Sequence, residues 1–208
     1  MSREIALEGL DLSGKSTLAK QLADRLKARH VGEPFTESVH AVRVKEMITA
    51  NYAPKVYEIM ALIAQRVEAY QRVKGPYLSR GRDIVSDRCV ISSMVYQSSE
   101  EADAATVLEM NESILKSYGY QVSPDILIFI DMDYETYMSR CETIGRDLDG
   151  KEKWLQTRSN FESQRQKYID AIDTFKQRSV NTIVFTVPAG VTVEDVLDLV
   201  EPAQAVVA

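Results

Sequence analysis

The chain has 208 residues, enough for one domain with a full core, and its 45% hydrophobic and 27% charged content matches an ordinary globular balance. A net charge of −6 gives no general basic surface, which argues against a nucleic-acid polymer as partner. No apolar run approaches a membrane span and MSREIALEGL carries no signal-peptide pattern, so a cytoplasmic protein away from membranes is expected.

In chain order, a short apolar strand is expected at 4–8. The stretch GLDLSGKST (9–17) follows, then Leu18, Ala19, Leu22, Ala23 and Leu26 at helical spacing, so a helix starts near Lys15. Gly9, Gly14, Lys15 and Ser16 fill the pattern G-x-x-x-x-G-K-[ST]. Glycines let successive N–H groups turn into one concavity that suits phosphate oxygens, and the helix adds the positive end of its dipole. Strand, glycine loop and helix stand in the required order. The run Gly9, Leu10, Asp11, Leu12, Ser13, Gly14, Lys15, Ser16 and Thr17 is therefore expected to hold a nucleotide, with Lys15 on the β/γ-phosphates and Ser16 on Mg²⁺.

A short strand piece is expected at 30–33. After Pro54, Val56, Ile59, Met60, Ile63, Val67 and Tyr70 mark one apolar stripe of a helix over 54–74. Further strands are expected at 84–87, 126–131 and 182–187, and helices at 91–98, 100–118, 134–144, 152–178 and 193–200. The unbroken run Ile126 to Ile130 suits a strand covered on both faces, hence a parallel sheet. Pro124 and Pro188 punctuate strand edges. The fold class is α/β: three layers, α/β/α, with five parallel strands, as one domain. Residues 145–153, GRDLDGKEK, interrupt the pattern; a polar segment with two glycines reads either as a solvated loop or as a lid. Cys89 and Cys141 lie in no metal-type spacing and are expected to be core thiols.

A phosphate loop serves GTPases, motor ATPases and small-molecule kinases alike. No N-K-x-D guanine motif is present, and strand 84–87 ends in Asp87-Arg88 rather than in adjacent acids. Asp87 at a strand's carboxyl end can hold Mg²⁺ through water. Arg88 beside it makes sense if a second anion, an acceptor that is itself a phosphate, lies near the γ-phosphate.

DRCVISSMVYQ (87–97) resembles the thymidylate kinase signature D-R-Y-x-x-S-x-x-A-Y-Q, and EGLDLSGKST (8–17) resembles that family's phosphate loop, including Glu8 and Asp11. GEP (32–34), LIAQR (62–66) and PDILIFID (124–131) resemble further family segments in the same order. The resemblance implies a homodimer that transfers the ATP γ-phosphoryl to dTMP with Mg²⁺. It implies that Asp11 lies near the acceptor, unless it is a turn residue, and that Arg66 and Arg88 hold base or acceptor phosphate, unless Arg66 is an exposed helix arginine. Tyr96 would pack under the deoxyribose or simply into the core. Ser92, Ser93 and Gln97 match positions around thymine, though hydroxyls at helix starts also serve as caps. Trp154 falls near a lid aromatic; core packing is an equal alternative.

Three positions depart from the family: Gly32 for arginine, Cys89 for tyrosine, and Leu62 for the phenylalanine that stacks on thymine. Losing that flat face leaves room for a broader deoxynucleotide range, and a nucleoside kinase on the same fold remains an alternative. So does an ATP-dependent switch protein, although it would not need Arg88 and the Tyr96-Gln97 ending. The loop carries Leu12 where some relatives place a catalytic arginine. The lid is then expected to supply the charge, through Arg146 first, with Lys151, Lys153 or helix-borne Arg140 as alternatives.

Overall fold

A computed structural model of the chain describes residues 2–50 and 53–202. Five strands, β1 (Glu4–Gly9), β2 (Arg29–Gly32), β3 (Ile84–Asp87), β4 (Ile126–Asp131) and β5 (Ile183–Pro188), form one parallel sheet in the order β2-β3-β1-β4-β5. All five carboxyl ends therefore face the same edge. On β1 and β4 alternate residues supply opposite faces. Ile5, Leu7, Ile126 and Ile128 pack against α1 (Lys15–Leu26) and α10 (Val193–Val200). Ala6, Leu127 and Phe129 pack against α3 (Lys55–Ala69), α5 (Val90–Tyr96), α6 (Ala104–Ser117) and α9 (Arg158–Arg178). The three-layer arrangement follows from that two-sided burial. Cys89 is buried and Cys141 partly so, both as free thiols.

Several boundaries differ from the sequence expectation. The strands at 30–33 and 182–187 shift by one residue to 29–32 and 183–188. Helix α2 (Val39–Ala50) has no counterpart in the sequence reading, because its apolar residues are interleaved with charges and keep no clean stripe. The helix expected over 54–74 ends as an α-helix at Ala69, passes through a π-turn (Tyr70–Lys74) and resumes as the short α4 (Gly75–Leu78). Gly75 is needed there, since a Cβ would sit 2.9 Å from the Tyr70 carbonyl oxygen. The π-turn points Lys74 inward, where its ammonium meets Glu4 at 2.7 Å and Glu33 at 3.7 Å.

The helix expected over 152–178 is two helices, α8 (Gly150–Leu155) and α9, broken at Gln156-Thr157. The segment expected to be a lid loop is irregular only as far as Asp149. Asp149 then caps α8 by a reciprocal pair, its carboxylate accepting from the Glu152 N–H and the Glu152 carboxylate accepting from the Asp149 N–H. Helix α7 (Tyr134–Thr143) precedes it, capped by Asp133. Among the described residues no helix is long and apolar enough to cross a membrane.

Candidate active site

The loop after β1 crosses the carboxyl edge of the sheet and enters α1 through Gly14, whose φ of 87° an L side chain rarely adopts. At Gly9 a Cβ would lie 2.8 Å from the Ile130 carbonyl and 2.9 Å from Ser13 Oγ, so only glycine allows the loop to pass β4. Lys15 folds back and donates to the Leu10 carbonyl at 3.2 Å. Its ammonium is buried. Burial, then repulsion from Arg88, lowers its pKa to about 8, against the attraction of Asp11, Asp87 and Glu8. Ser13 Oγ is buried without a hydrogen-bond partner among the described residues. Ser16 and Thr17 are exposed on the first turn of α1. An anion seated in this loop would answer both the crowded cation and the idle donor groups.

Beside the loop, Asp11 joins three cations. Its Oδ1 lies 2.5 Å from Arg88 Nη2 and 3.6 Å from Lys15 Nζ, and its Oδ2 lies 2.9 Å from Lys151 Nζ. Burial works against the charged carboxylate, but Arg88, Lys151 and Lys15 together hold its pKa well below the ordinary range. Arg88 sits at φ 79°, a left-handed conformation for a bulky residue. Glu8, fully buried beneath it, fixes that turn by accepting from the N–H groups of Cys89 (2.8 Å) and Ser92 (3.0 Å) and from Ser92 Oγ (2.8 Å). The guanidinium then spans Asp11, Ser92 Oγ (2.8 Å) and Tyr168 hydroxyl (2.8 Å).

A cavity of about 320 Å³ opens next to this cluster, lined by Glu33, Glu58, Leu62, Arg66, Arg88, Ser92, Ser93, Tyr96, Gln97 and Lys151, among others. Of the residues that the sequence assigned to an acceptor, Leu62, Arg66, Arg88, Ser92, Ser93, Tyr96 and Gln97 are on its wall, and Asp11 stands behind it in contact with Arg88 and Lys151. Arg66 is buried rather than an exposed helix residue. It donates to Glu33 at 2.8 and 2.9 Å, to Asn111 Oδ1 at 2.6 Å and to Ser93 Oγ at 2.9 Å. Tyr96 is half-buried, edge-on to Tyr168, and its face carries Lys151 Nζ 3.4 Å from the ring centre. Leu62 offers an aliphatic wall.

The lid cations are distributed differently from the expectation. Arg146 makes its side-chain ion pair with Glu152, which grips it at two points, at 2.6 and 2.8 Å, and it is exposed. Arg140 of α7 instead reaches the loop, donating to the Leu12 carbonyl at 2.6 Å, and lines a second cavity of about 250 Å³ with Ser13, Gly14 and Thr17. Lys153 is exposed, and Trp154 is 47% exposed, so its core-packing alternative does not hold. Sequence reasoning gave no role to Glu33, although GEP (32–34) was noted, and missed Glu58, Asn111 and Tyr168. Each acts through tertiary contacts across more than thirty residues, and no local pattern marks the last three.

Mg²⁺ fits the residues present in a limited way. Asp87 Oδ1 at the end of β3 is buried with no hydrogen-bond partner among the described residues, an acceptor suited to water on a cation. Among the described residues no three His, Cys, Asp or Glu side chains converge to hold a metal by themselves. Such an ion would depend on nucleotide phosphates and water for most of its ligands, the usual habit of Mg²⁺.

A family model described as thymidylate kinase matches residues 7–196. The chain is 29% identical over 148 residues to a probable thymidylate kinase of Methanococcus maripaludis strain C6, covering 71% of this chain and 69% of the relative. It is 25% identical over 195 residues to a thymidylate kinase of Francisella tularensis subsp. novicida, covering 88% and 91%. Among solved structures it resembles the thymidylate kinase of Ehrlichia chaffeensis with a TM-score of 0.68 at 17% identity, over 96% and 99% of the two chains, a likeness of fold.

Proposed function

The chain belongs to the thymidylate kinase family, and from that premise we infer that it transfers the γ-phosphoryl group of ATP to dTMP, giving dTDP and ADP. The observation that carries the reading is the adjacency of two anion-binding surfaces. Asp11 links the phosphate loop to the Arg88 cavity, touching Lys15 on one side and Arg88 on the other.

The proposed division of labour follows the charges. The loop amides from Leu10 to Thr17, with Gly9 giving them room, would bind the donor phosphates, and Lys15 would follow the moving phosphoryl group. Arg88 would present its guanidinium to the acceptor phosphate, released in part from Asp11 as that anion arrives. Arg66, Ser92, Ser93, Gln97 and Leu62 would surround the base, and Tyr96 the sugar. Ser16 and water-bridged Asp87 would hold Mg²⁺, which when bound neutralises charge on the transferring phosphate. Arg140 already stands at the loop, and Arg146 would join the phosphates by leaving Glu152. Catalysis is then positioning and charge stabilisation, with no covalent enzyme intermediate.

Four finer points belong to the same proposal. The chain acts as a single domain whose lid is the 145–153 segment. It works as a homodimer, a reading supported by the exposed apolar residues Val39, Val56, Tyr57 and Met60 on α2 and α3. Its partners are small nucleotides rather than polymers, in keeping with its net negative charge. Its place is the cytoplasm.

The test is an acceptor panel with ATP·Mg²⁺: dTMP, dUMP, dGMP, dCMP and thymidine. Transfer to dTMP with the highest kcat/KM is expected. A preference for thymidine would make the protein a nucleoside kinase, and ATP hydrolysis indifferent to every acceptor would make it a switch.

A further inference from the structure

Glu58 is among the most deeply buried charged side chains in the protein, at 1% exposure, yet it lines the acceptor cavity. It lies one helical turn before Leu62 on α3, so both face the same space. One of its oxygens, Oε2, meets Lys55 Nζ at 3.1 Å and accepts from Gln97 Nε2 at 3.3 Å. Gln97, itself buried, lines the same cavity from the end of α5.

An amide can present either end to a neighbour, and a carboxylate can only accept. The Glu58 carboxylate, held in place by the Lys55 ion pair, therefore decides which end of Gln97 turns toward it. The NH₂ group must point to Glu58, and the carbonyl oxygen is left for the rest of the cavity. We propose that Glu58 is a positioning residue for base recognition: it locks the Gln97 amide so that the cavity offers an acceptor, selecting nucleobases with a ring N–H at that edge and rejecting those with a ring-nitrogen lone pair there. Thymine and uracil carry such an N–H at N3. Cytosine carries a lone pair at N3, which would face the Gln97 oxygen. This selection rests on the deoxynucleoside monophosphate kinase reading given above.

Without the lock, Gln97 can turn over and donate to cytosine. A glutamine at position 58 can itself either donate or accept, so it permits both orientations. The experiment measures kcat/KM for dTMP and dCMP in the parent, Glu58→Gln, Gln97→Met and the double variant. In the parent, dTMP is strongly preferred. In Glu58→Gln the dTMP:dCMP ratio falls by roughly tenfold or more, through a lower KM for dCMP and a higher KM for dTMP, while kcat for dTMP stays within about threefold. Gln97→Met keeps the Lys55–Glu58 pair and loses the amide, so it too lowers the ratio even if Glu58→Gln does not fold. In the double variant the Glu58 change has no further effect on the ratio, because no amide remains to turn.

A ratio unmoved by either single change, or a fall in both substrates alike, would overturn the lock and leave Glu58 as part of the scaffold. A further loss of discrimination in the double variant would mean that Glu58 touches the base directly, which also overturns it. A parent that uses dCMP as well as dTMP would show that nothing is selected. A parent inactive on every nucleoside monophosphate would instead sink the functional reading itself, a result distinguishable from all of these.

Discussion

Arg146 and Glu152 face each other as a two-point ion pair inside the lid, while Arg140 holds the Leu12 carbonyl of the phosphate loop. The cation on the Leu12 carbonyl of the loop thus comes from α7, while the lid reaches the loop through Lys151, 2.9 Å from Asp11, rather than through Arg146. Single-turnover transfer should separate the two. Arg140→Ala is expected to lower the chemical rate by about 10² to 10³, the loss typical of one preorganised donor. Arg146→Ala is expected to lower it by less, with dTMP binding unchanged by calorimetry. A larger effect at Arg146 would mean that it leaves Glu152 and joins the phosphates in the reacting state.

Lys15 is expected to give two opposite responses to pH. Its pKa in the free protein, about 8, lies below the ordinary lysine value of 10.5. Between those values the unfolded chain binds more protons than the folded one, so this group makes stability rise with pH across that window. Below it the buried charge is a standing cost. Lys15→Met should therefore raise the melting temperature near pH 7 while nearly abolishing transfer. In the active protein kcat/KM for ATP should fall as pH climbs past about 8, and ATP binding there should take up protons. A Lys15→Met variant less stable than the parent would contradict the cost assigned to the buried ammonium.

Asp87 should report on metal through concentration rather than through rate. If its buried Oδ1 orders water on the ion, Asp87→Ala raises the Mg²⁺ needed for half-maximal transfer by roughly tenfold or more, with saturating Mg²⁺ recovering much of the activity. An unchanged Mg²⁺ titration would assign Asp87 to the turn alone.

Leu62→Phe should sharpen base choice by adding an aromatic face to the cavity wall. The expected result is a higher kcat/KM for dTMP relative to dGMP at unchanged stability. A general collapse of activity would place Leu62 in the core instead.

The buried pair Glu4–Lys74 makes a stability prediction. Burial raises the Glu4 carboxyl, but Lys74 and the Tyr70 and Ser86 hydroxyls, at 2.6 to 2.7 Å, bring its pKa below the ordinary value. Its stabilising contribution is present above the unfolded value near 4.5 and is lost as pH falls through the lower folded value. Lys74→Met leaves that carboxylate without its cation and should cost about 3–5 kcal/mol in denaturant unfolding. Combining it with Glu4→Leu should recover much of the loss. No recovery would mean that Glu33, the other partner of Lys74, carries the cost.

The parts of the fold that were legible in the sequence are those where burial is continuous. Ile126 to Ile130 could only be a two-sided strand, and the glycines of GLDLSGKST announced the phosphate loop because backbone geometry demands them. The start of α8 carried a signal as well, the Asp149-x-x-Glu152 capping pair, but it was read as lid polarity. Arg66, Arg88, Tyr96 and Gln97 were found through the ordered resemblance. What orients them was not legible. Glu33 sits thirty-three positions from Arg66, and Glu58 thirty-nine from Gln97, and only the folded chain makes them neighbours. The pairing of Arg146 with Glu152 was not legible either, since Glu152 was counted only as part of a charged loop.

The π-turn at Tyr70–Lys74 turns chain length into chemistry. An uninterrupted α-helix advances by roughly 100° per residue, so Arg66 and Lys74, eight positions apart, would diverge by roughly 80° around the axis. A π-turn absorbs one extra residue, which brings the two within roughly 20° of the same side. That alignment is why a single carboxylate, Glu33, reaches both, at 2.8 and 3.7 Å. Deleting Gln71 would restore regular winding without removing any charged side chain. It would still rewire which cations share Glu33, so at this point in the chain the count of residues matters as much as their identity.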